Sequence, residues 1–572
     1  ERRAHSGTAE VFNKKPDTAL TLTGFTPPGN NVSVYDISRR GNRVSLLSNV
    51  QFSSPDGGTS FNARFAGRLV AEDTGRYFMA VADGSYLEPQ AIVLNYGAEQ
   101  SLRHASRGAD LIIIGSRQLL DAGEELAAHR RSSGMRVAEV PLHQIFAEFG
   151  HGRASTQSIK DFVAYALDNW QAPAPKYLLL LGDSTYDPKN RLSYGSDPSA
   201  IPIPIQEGMF LDFGNDHWFV ADSMNLPRMA VGRLPTSKPN EIENYVSKVI
   251  NYENGTAAPA NAAAAQAVFV SDSDSMSEDF GYNSDGLAVS MKAAAGHFST
   301  QRVTRAGGTD AQAKSNIIGQ FNAGPLMMTY LGHGASDRWA GANVFTTADA
   351  TALENERLPI VTALNCMNSY FYDADPDEKS LAEALVLNPD GGAIAFWGST
   401  GMTAPPVQVN LEKNFINEIG LATTQAAHDV RLGDLMLRSK VSLGNHASSL
   451  DTLRSYSLIG DPSLKLPAAS FHAPETEEQP APPTSGSGGG GIFGCGTTGD
   501  GTGSGGFGFG LEMILYAIAF MFIRNFAGTR PPLNSTNVGV IAERLVGPGF
   551  WSSSVKLTPF FALATILGDP TS

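Results

Sequence analysis

Between residues 110 and 467 the chain repeats one pattern, a short and almost wholly apolar run followed by a longer stretch with helical spacing. The runs are "DLIIIGS" (110–116), "KYLLLLGDS" (176–184), "RMAVGRLP" (228–235), "AVFVSDSD" (267–274), "PLMMTYLGHG" (325–334), "LPIVTALNC" (358–366), "GAIAFWGST" (392–400) and "YSLIGDPSLKLP" (456–467). A strand that is apolar on both sides has to be covered on both faces, and alternation with helices predicts a largely parallel sheet between helical layers. In such sheets ligands bind beyond the carboxyl ends of the strands. The polar residues that close each run are therefore where chemistry should be sought.

The intervening stretches carry helix punctuation. "LLDAGEELAAHRRSSG" (119–134) has Gly134 as its stop, and "STQSIKDFVAYALDNW" (155–170) has Ser155 or Thr156 as its N-cap. Residues 1–107 differ in texture. "TALTLTGF", "NVSVYDIS" and "GRYFMAVA" alternate or run apolar between Gly, Pro and Asn, which predicts a β-rich domain. Beyond 467 the composition breaks again. Residues 468–506 read as a Pro-, Gly- and Ser-rich linker containing "HAPETEEQPAPPTSGSGGGG" (472–491), which cannot pack a core. Residues 507–525, "FGFGLEMILYAIAFMFIRN", are at the short limit for a membrane span and contain Glu512. A buried or interfacial helix is the bland alternative; after such a linker the preferred reading is a membrane-anchoring or sorting tail. Residues 526–572 carry no pattern that assigns them.

A formal charge of −15 over 572 residues, without a basic run, argues against a nucleic-acid partner, because phosphate binding needs clustered Lys and Arg. Cys366 and Cys495 are the only cysteines, too few for a disulfide framework. The chain starts at Glu1 with no basic-then-apolar leader in view, so a leader is expected to have been removed. The histidines show no regular metal-ligand spacing. "GDS" (182–184) and "GDPS" (460–463) lack the phosphate-loop lysine pattern and read as turns or calcium-stabilised loops.

Two successive strong runs end in chemistry. One closes in Gly332-His333-Gly334, the next in Cys366. On neighbouring strands, a thiol and an imidazole would stand side by side, the thiolate as nucleophile and the imidazole as its activator and the proton donor to a leaving amine. Gly334 would let its N–H approach a scissile carbonyl and, with the N–H of Cys366, form an oxyanion hole. A lone strand-end cysteine is as often a small buried apolar residue; the pairing with a glycine-flanked histidine is what favours catalysis. Gly150-His151-Gly152 repeats the tripeptide, but it follows the helical "HQIFAEF" and reads as a connecting loop.

These residues resemble a known family. "TYLGHGASDRWAG", "LPIVTALNCMNSYF", "YLLLLGDSTYDP", "GNDHWF" and "YSLIGDPSLKL" are similar, in order and spacing, to the gingipain-type cysteine peptidases, peptidase family C25. The resemblance spans about 108–467 and implies a caspase-like α/β fold, a parallel-sheet sandwich of two subdomains. The first, 108–262, would be non-catalytic; the second, 263–467, would carry the dyad, after the β-rich N-terminal domain. By the resemblance, His333 matches the catalytic histidine and Cys366 the nucleophile. The family also places an acid that orients the histidine. A gap-free match within "FVSDSDSMSEDFGYNSD" (269–285) favours Asp274 for it, with Asp272 as the alternative, and sets Asp285 where arginine-specific members hold an Asp at the floor of the S1 pocket. The same Ser/Asp stretch also reads as a solvated loop that binds calcium. Asp216 and His217 of "GNDHWF" read as support near the cleft, and "MTAPP" (402–406) as cleft lining. Met367 and Asn368 depart from the family pattern, and residues after 467 offer no immunoglobulin-like domain.

The expectation is a secreted or cell-surface cysteine endopeptidase, exported in the bacterial manner, acting on proteins or peptides through an acyl-enzyme, with a preference for Arg or Lys before the cleaved bond. The chemistry requires no cofactor, and a structural calcium is compatible with it. Anchoring to a membrane or envelope would run through the tail. Two rivals remain at this level: a surface transpeptidase of the same fold, in which an amine replaces water, and a non-catalytic surface protein that uses the shell for binding.

Overall fold

The computed structural model describes residues 101–471 apart from 196, 198, 276–277, 342–343 and 425–428, together with the strands and some connecting residues between 2 and 82. The expected membrane or sorting helix at 507–525, nearly all of the linker and the unassigned tail lie outside the described residues. Among the described residues no helix is long and apolar enough to cross a membrane.

Residues 1–99 form one compact unit. It is β-rich, as its alternating segments predict. Two four-stranded sheets, one built on Thr18–Phe25 and Phe61–Gly67 and the other on Thr8–Asn13, Val32–Asp36 and Arg76–Ala82, share a core that includes Leu22, Phe25, Val34, Phe65 and Phe78.

The second unit is built on a ten-stranded sheet. Its strands in chain order are β1 (Leu111–Gly115), β2 (Val137–Pro141), β3 (Tyr177–Leu181), β4 (Ala230–Leu234), β5 (Gln266–Ser271), β6 (Ser299–Thr304), β7 (Met327–Leu331), β8 (Ile360–Leu364), β9 (Ala395–Ser399) and β10 (Tyr456–Ile459). In space they run β2-β1-β3-β4-β10-β9-β8-β7-β5-β6. Every pair is parallel except β9 with β10. The sheet is therefore two parallel blocks of opposite direction, joined where the last strand of the chain enters beside β4. This is the caspase-like α/β architecture.

The apolar runs become strands because both their faces are covered: every residue of β1, β3, β7, β8 and β9 is buried. Helix Arg117–Ser132 starts on Ser116, whose hydroxyl accepts the Leu119 N–H. Helix Thr156–Asn169 starts on Ser155 in the same way. His151 closes helix Leu142–Gly150 at φ 51°, which makes it the loop residue that its context suggests. The core continues past 467, since Phe471 is buried within it.

Candidate active site

β7 and β8 lie side by side with Leu331 opposite Leu364. His333 and Cys366 each follow their register partner by two residues, so the two chemical groups leave the sheet from adjacent strands at one level. Both are half-buried. β5 flanks β7, with Ser271 opposite Leu331, which brings Asp272 to the same rim.

The turn carrying His333 is clamped through its backbone. Its N–H donates to Asp272 at 3.3 Å, and its carbonyl accepts from the Tyr330 hydroxyl at 2.7 Å and the Ala340 N–H at 2.8 Å. Asp272 is buried and also takes Arg305 at 3.0 Å, which in turn pairs with Asp310 at 2.7 Å. Two glycines are required by close approach. A Cβ on Gly332 would lie 2.4 Å from the Asp272 Cβ, and one on Gly334 would lie 2.2 Å from the Asn365 side-chain nitrogen.

The turn carrying Cys366 is fixed by its asparagines. Asn365 donates to Asn368 at 2.6 Å, and Asn368 donates to the carbonyls of Ala335 at 2.5 Å and Arg338 at 3.1 Å. Asn368 thereby ties the Cys366 turn to the hairpin that follows His333, in which Gly334–Ala335 pairs antiparallel with Arg338–Trp339. Met367 sits at φ 64°, a left-handed conformation unusual for a side chain of its size, and its N–H donates to the Gly401 carbonyl at 3.1 Å. From the other side Gln408, on helix Pro405–Thr424, donates to the Asn365 carbonyl at 2.8 Å and to the Thr403 hydroxyl. The Thr403 N–H is directed at the Cys366 sulfur. Burial pushes the Cys366 thiol up, with that N–H pulling the other way.

The acids divide. Asp272 bonds to the histidine backbone. Asp274 is exposed and accepts the Gly281 N–H at 2.8 Å, one residue beyond Phe280, whose ring meets the His333 ring edge-on at 5.1 Å. Among the described residues no side chain hydrogen-bonds to the imidazole. Asp285 lies on the exposed side of helix Phe280–Ala294 in an ion pair with Arg302 of the edge strand β6, with both side chains 56% exposed. The structure thus groups Cys366, His333, Gly334 and Asp272, sets Asp274 beside the helix start that touches His333, and engages Asp285 elsewhere.

The remaining motifs are structural. Asp216 grips the buried Arg233 with two bonds at 2.7 and 2.8 Å, and His217 caps the Asn225 carbonyl at 2.8 Å. In "GDPS", Asp461 takes Arg130 at 2.6 Å and the Ser463 N–H at 2.7 Å; in "GDS", Asp183 takes the Ser184 N–H at 2.8 Å. Among the described residues no group of three or more His, Cys, Asp or Glu is arranged to hold a metal ion. Sequence reasoning gave no role to Asn365, Arg305, Gln408 or Asn368. The flanking asparagines of "NCMN" were the available signal.

Comparison with known proteins adds the family. The profile described as peptidase family C25 matches residues 104–467. An uncharacterized protein of Archaeoglobus fulgidus is 23% identical over 342 residues, covering 54% of this chain and 80% of that protein. Gingipain R2 of Porphyromonas gingivalis is 24% identical over 217 residues, covering 36% of this chain and 27% of its own length. The crystal structure of the Arg-specific cysteine proteinase gingipain R superposes with a TM-score of 0.52 at 18% identity, covering 65% of this chain and 80% of that one. At that identity the likeness speaks for the fold.

Proposed function

The chain belongs to peptidase family C25, and from that premise we propose that it is a cysteine endopeptidase whose dyad is Cys366 and His333. The observation that carries the proposal is the register of β7 and β8, which delivers thiol and imidazole from adjacent strand ends. His333 takes the proton from the Cys366 sulfur as the sulfur attacks the peptide carbonyl carbon. The N–H groups of Gly334 and Cys366 hold the oxyanion. Collapse expels the amine, which takes the proton from His333, and leaves a thioester; water, deprotonated by His333, then releases the acid.

Asp274 is the acid assigned to orient the imidazole, on the strength of its match to the family pattern and its place beside Phe280. Asp272 fixes the histidine turn instead. A preference for Arg or Lys through Asp285 requires that carboxylate to exchange Arg302 for the substrate's cation, and an exposed pair of this kind is a weak selector compared with a desolvated one. Export and anchoring belong to the proposal through residues 472–572; removing them should release the protein from the envelope fraction, and an unchanged partition would overturn that part.

The direct test is hydrolysis of fluorogenic peptides that differ only at P1. Cleavage abolished by both Cys366→Ala and His333→Ala supports the dyad. Cleavage that survives either substitution excludes it. Loss of Arg or Lys preference in Asp285→Asn supports the selector, and an unchanged preference removes it.

A further inference from the structure

Beneath the dyad lies a buried polar tie that the proposed reaction does not use. Thr329 and Thr362 are register partners on β7 and β8, and each stands four residues before its strand's chemical group, His333 and Cys366. The Thr362 hydroxyl is 2.8 Å from that of Thr329, and the two reach the same carboxylate oxygen of Glu412 at 3.0 and 2.9 Å. Glu412 is 2% exposed. Among the described residues its partners are hydroxyls and not cations. One turn earlier on the same helix, Gln408 holds the end of β8 and the Thr403 loop that touches the sulfur.

A carboxyl in this position is costly. Burial pushes it up to about 7 against the pull of the two threonines, and an apolar side chain would fill the space without that cost. What an apolar residue cannot do is accept from two adjacent strands at once. Sliding either strand by one residue would turn its threonine to the opposite face and break the tie.

Resting on the dyad reading, we infer that Glu412 is a positioning residue, which locks the relative register of the two strands that present His333 and Cys366. The titratable groups around it are few. Tyr456 of β10 faces it and places its hydroxyl on the Ala363 carbonyl, and Cys366 lies two residues past the end of β8. From helix Leu432–Leu443, Lys440 puts its ammonium on the Tyr456 carbonyl. Helix Phe280–Ala294 offers Asp285 and Lys292, both exposed.

The experiment uses the full chain and compares Glu412→Gln, Glu412→Leu, Thr329→Val and Thr362→Val with His333→Ala. Three quantities are read below the melting range of each variant: kcat and KM on one peptide, the pH profile of Cys366 alkylation by iodoacetamide, and the thermal midpoint. Glu412→Leu and Thr362→Val should lose about 10- to 100-fold in kcat with KM within about 2-fold, the scale expected of a misplacement near 1 Å. Their alkylation profiles should move toward that of His333→Ala. Glu412→Gln keeps an acceptor and should stay within about 3-fold of the parent. Folded variants with parental kcat and alkylation profile would overturn the inference, as would a Gln variant as impaired as the Leu one. If Glu412→Leu does not fold, the two valine variants decide alone. If His333→Ala itself leaves cleavage and alkylation unchanged, it is the dyad reading that fails.

Discussion

The two blocks of the sheet are made of the same apolar strands, yet they finish them in different ways. In the first block the buried charges are spent largely on each other. Asp461 and Glu253 close on Arg130, which has no exposed surface, and Asp216 closes on Arg233. In the second block the polar groups at the strand ends also reach backbone: Asp272, besides its ion pair with Arg305, takes the His333 N–H, and Asn368 donates to the carbonyls of Ala335 and Arg338. What is left over differs accordingly. Among the described residues the first block's strand ends carry no cysteine, and the second block's carry a half-buried thiol and imidazole on turns whose backbones are held. On the proposed dyad, a strand end in this architecture becomes a site when its main chain is tied down and its side chains are not.

The sharpest way to break that contrast is to exchange the effects. Cys366→Ala or His333→Ala should cost peptide cleavage at least about 1,000-fold, with unfolding free energy within about 1 kcal/mol of the parent. Arg130→Met should do the reverse. Leaving Asp461 buried and unpaired costs about 3–5 kcal/mol in denaturant titration, while kcat per folded molecule stays unchanged.

A pH series comes next. The folded pKa of Glu412, about 7, is raised above its ordinary 4.5, so its contribution to stability is fully present below 4.5 and is lost as pH rises to 7. Relative to Glu412→Gln, the parent should lose up to about 3 kcal/mol across that window and nothing further above it; parallel stability curves for the two proteins would exclude the raised pKa. Asn368→Ala should lower kcat by about 10- to 100-fold, because the nucleophile turn is no longer tied to the histidine hairpin. The smallest effect belongs to Asp285→Asn, whose exposed pair with Arg302 should change stability by less than about 0.5 kcal/mol.

The strands, and the placement of His333 and Cys366 just beyond two of them, were legible because both are written locally. A run such as "YLLLL" admits few environments, and His333 and Cys366 close successive runs. The continuity of one sheet across both blocks was not legible, since it depends on β10 pairing with strands separated from it by long stretches of chain. Nor were the supporting residues. Glu412, in "VNLEKNFINEIG", has the look of a solvated helix face, and only the positions of β7 and β8 reveal that it points inward. Arg302 sits 17 residues from Asp285 in the chain, so no motif match could show that the expected selector already has a partner. Asn365 and Asn368 bracket the cysteine visibly, but their hydrogen-bond partners come from the hairpin of a different strand.

The position of β10 also dictates an order of assembly. Its four residues, Tyr456–Ile459, are the last of the sheet's strands in the chain, and they fill its centre, between β4 and β9. On a growing chain the two blocks can form separately, but nothing joins them edge to edge until residue 459 has left the ribosome. Between residue 399, where β9 ends, and residue 456, where β10 begins, the emerging chain holds two half-sheets with a gap between them.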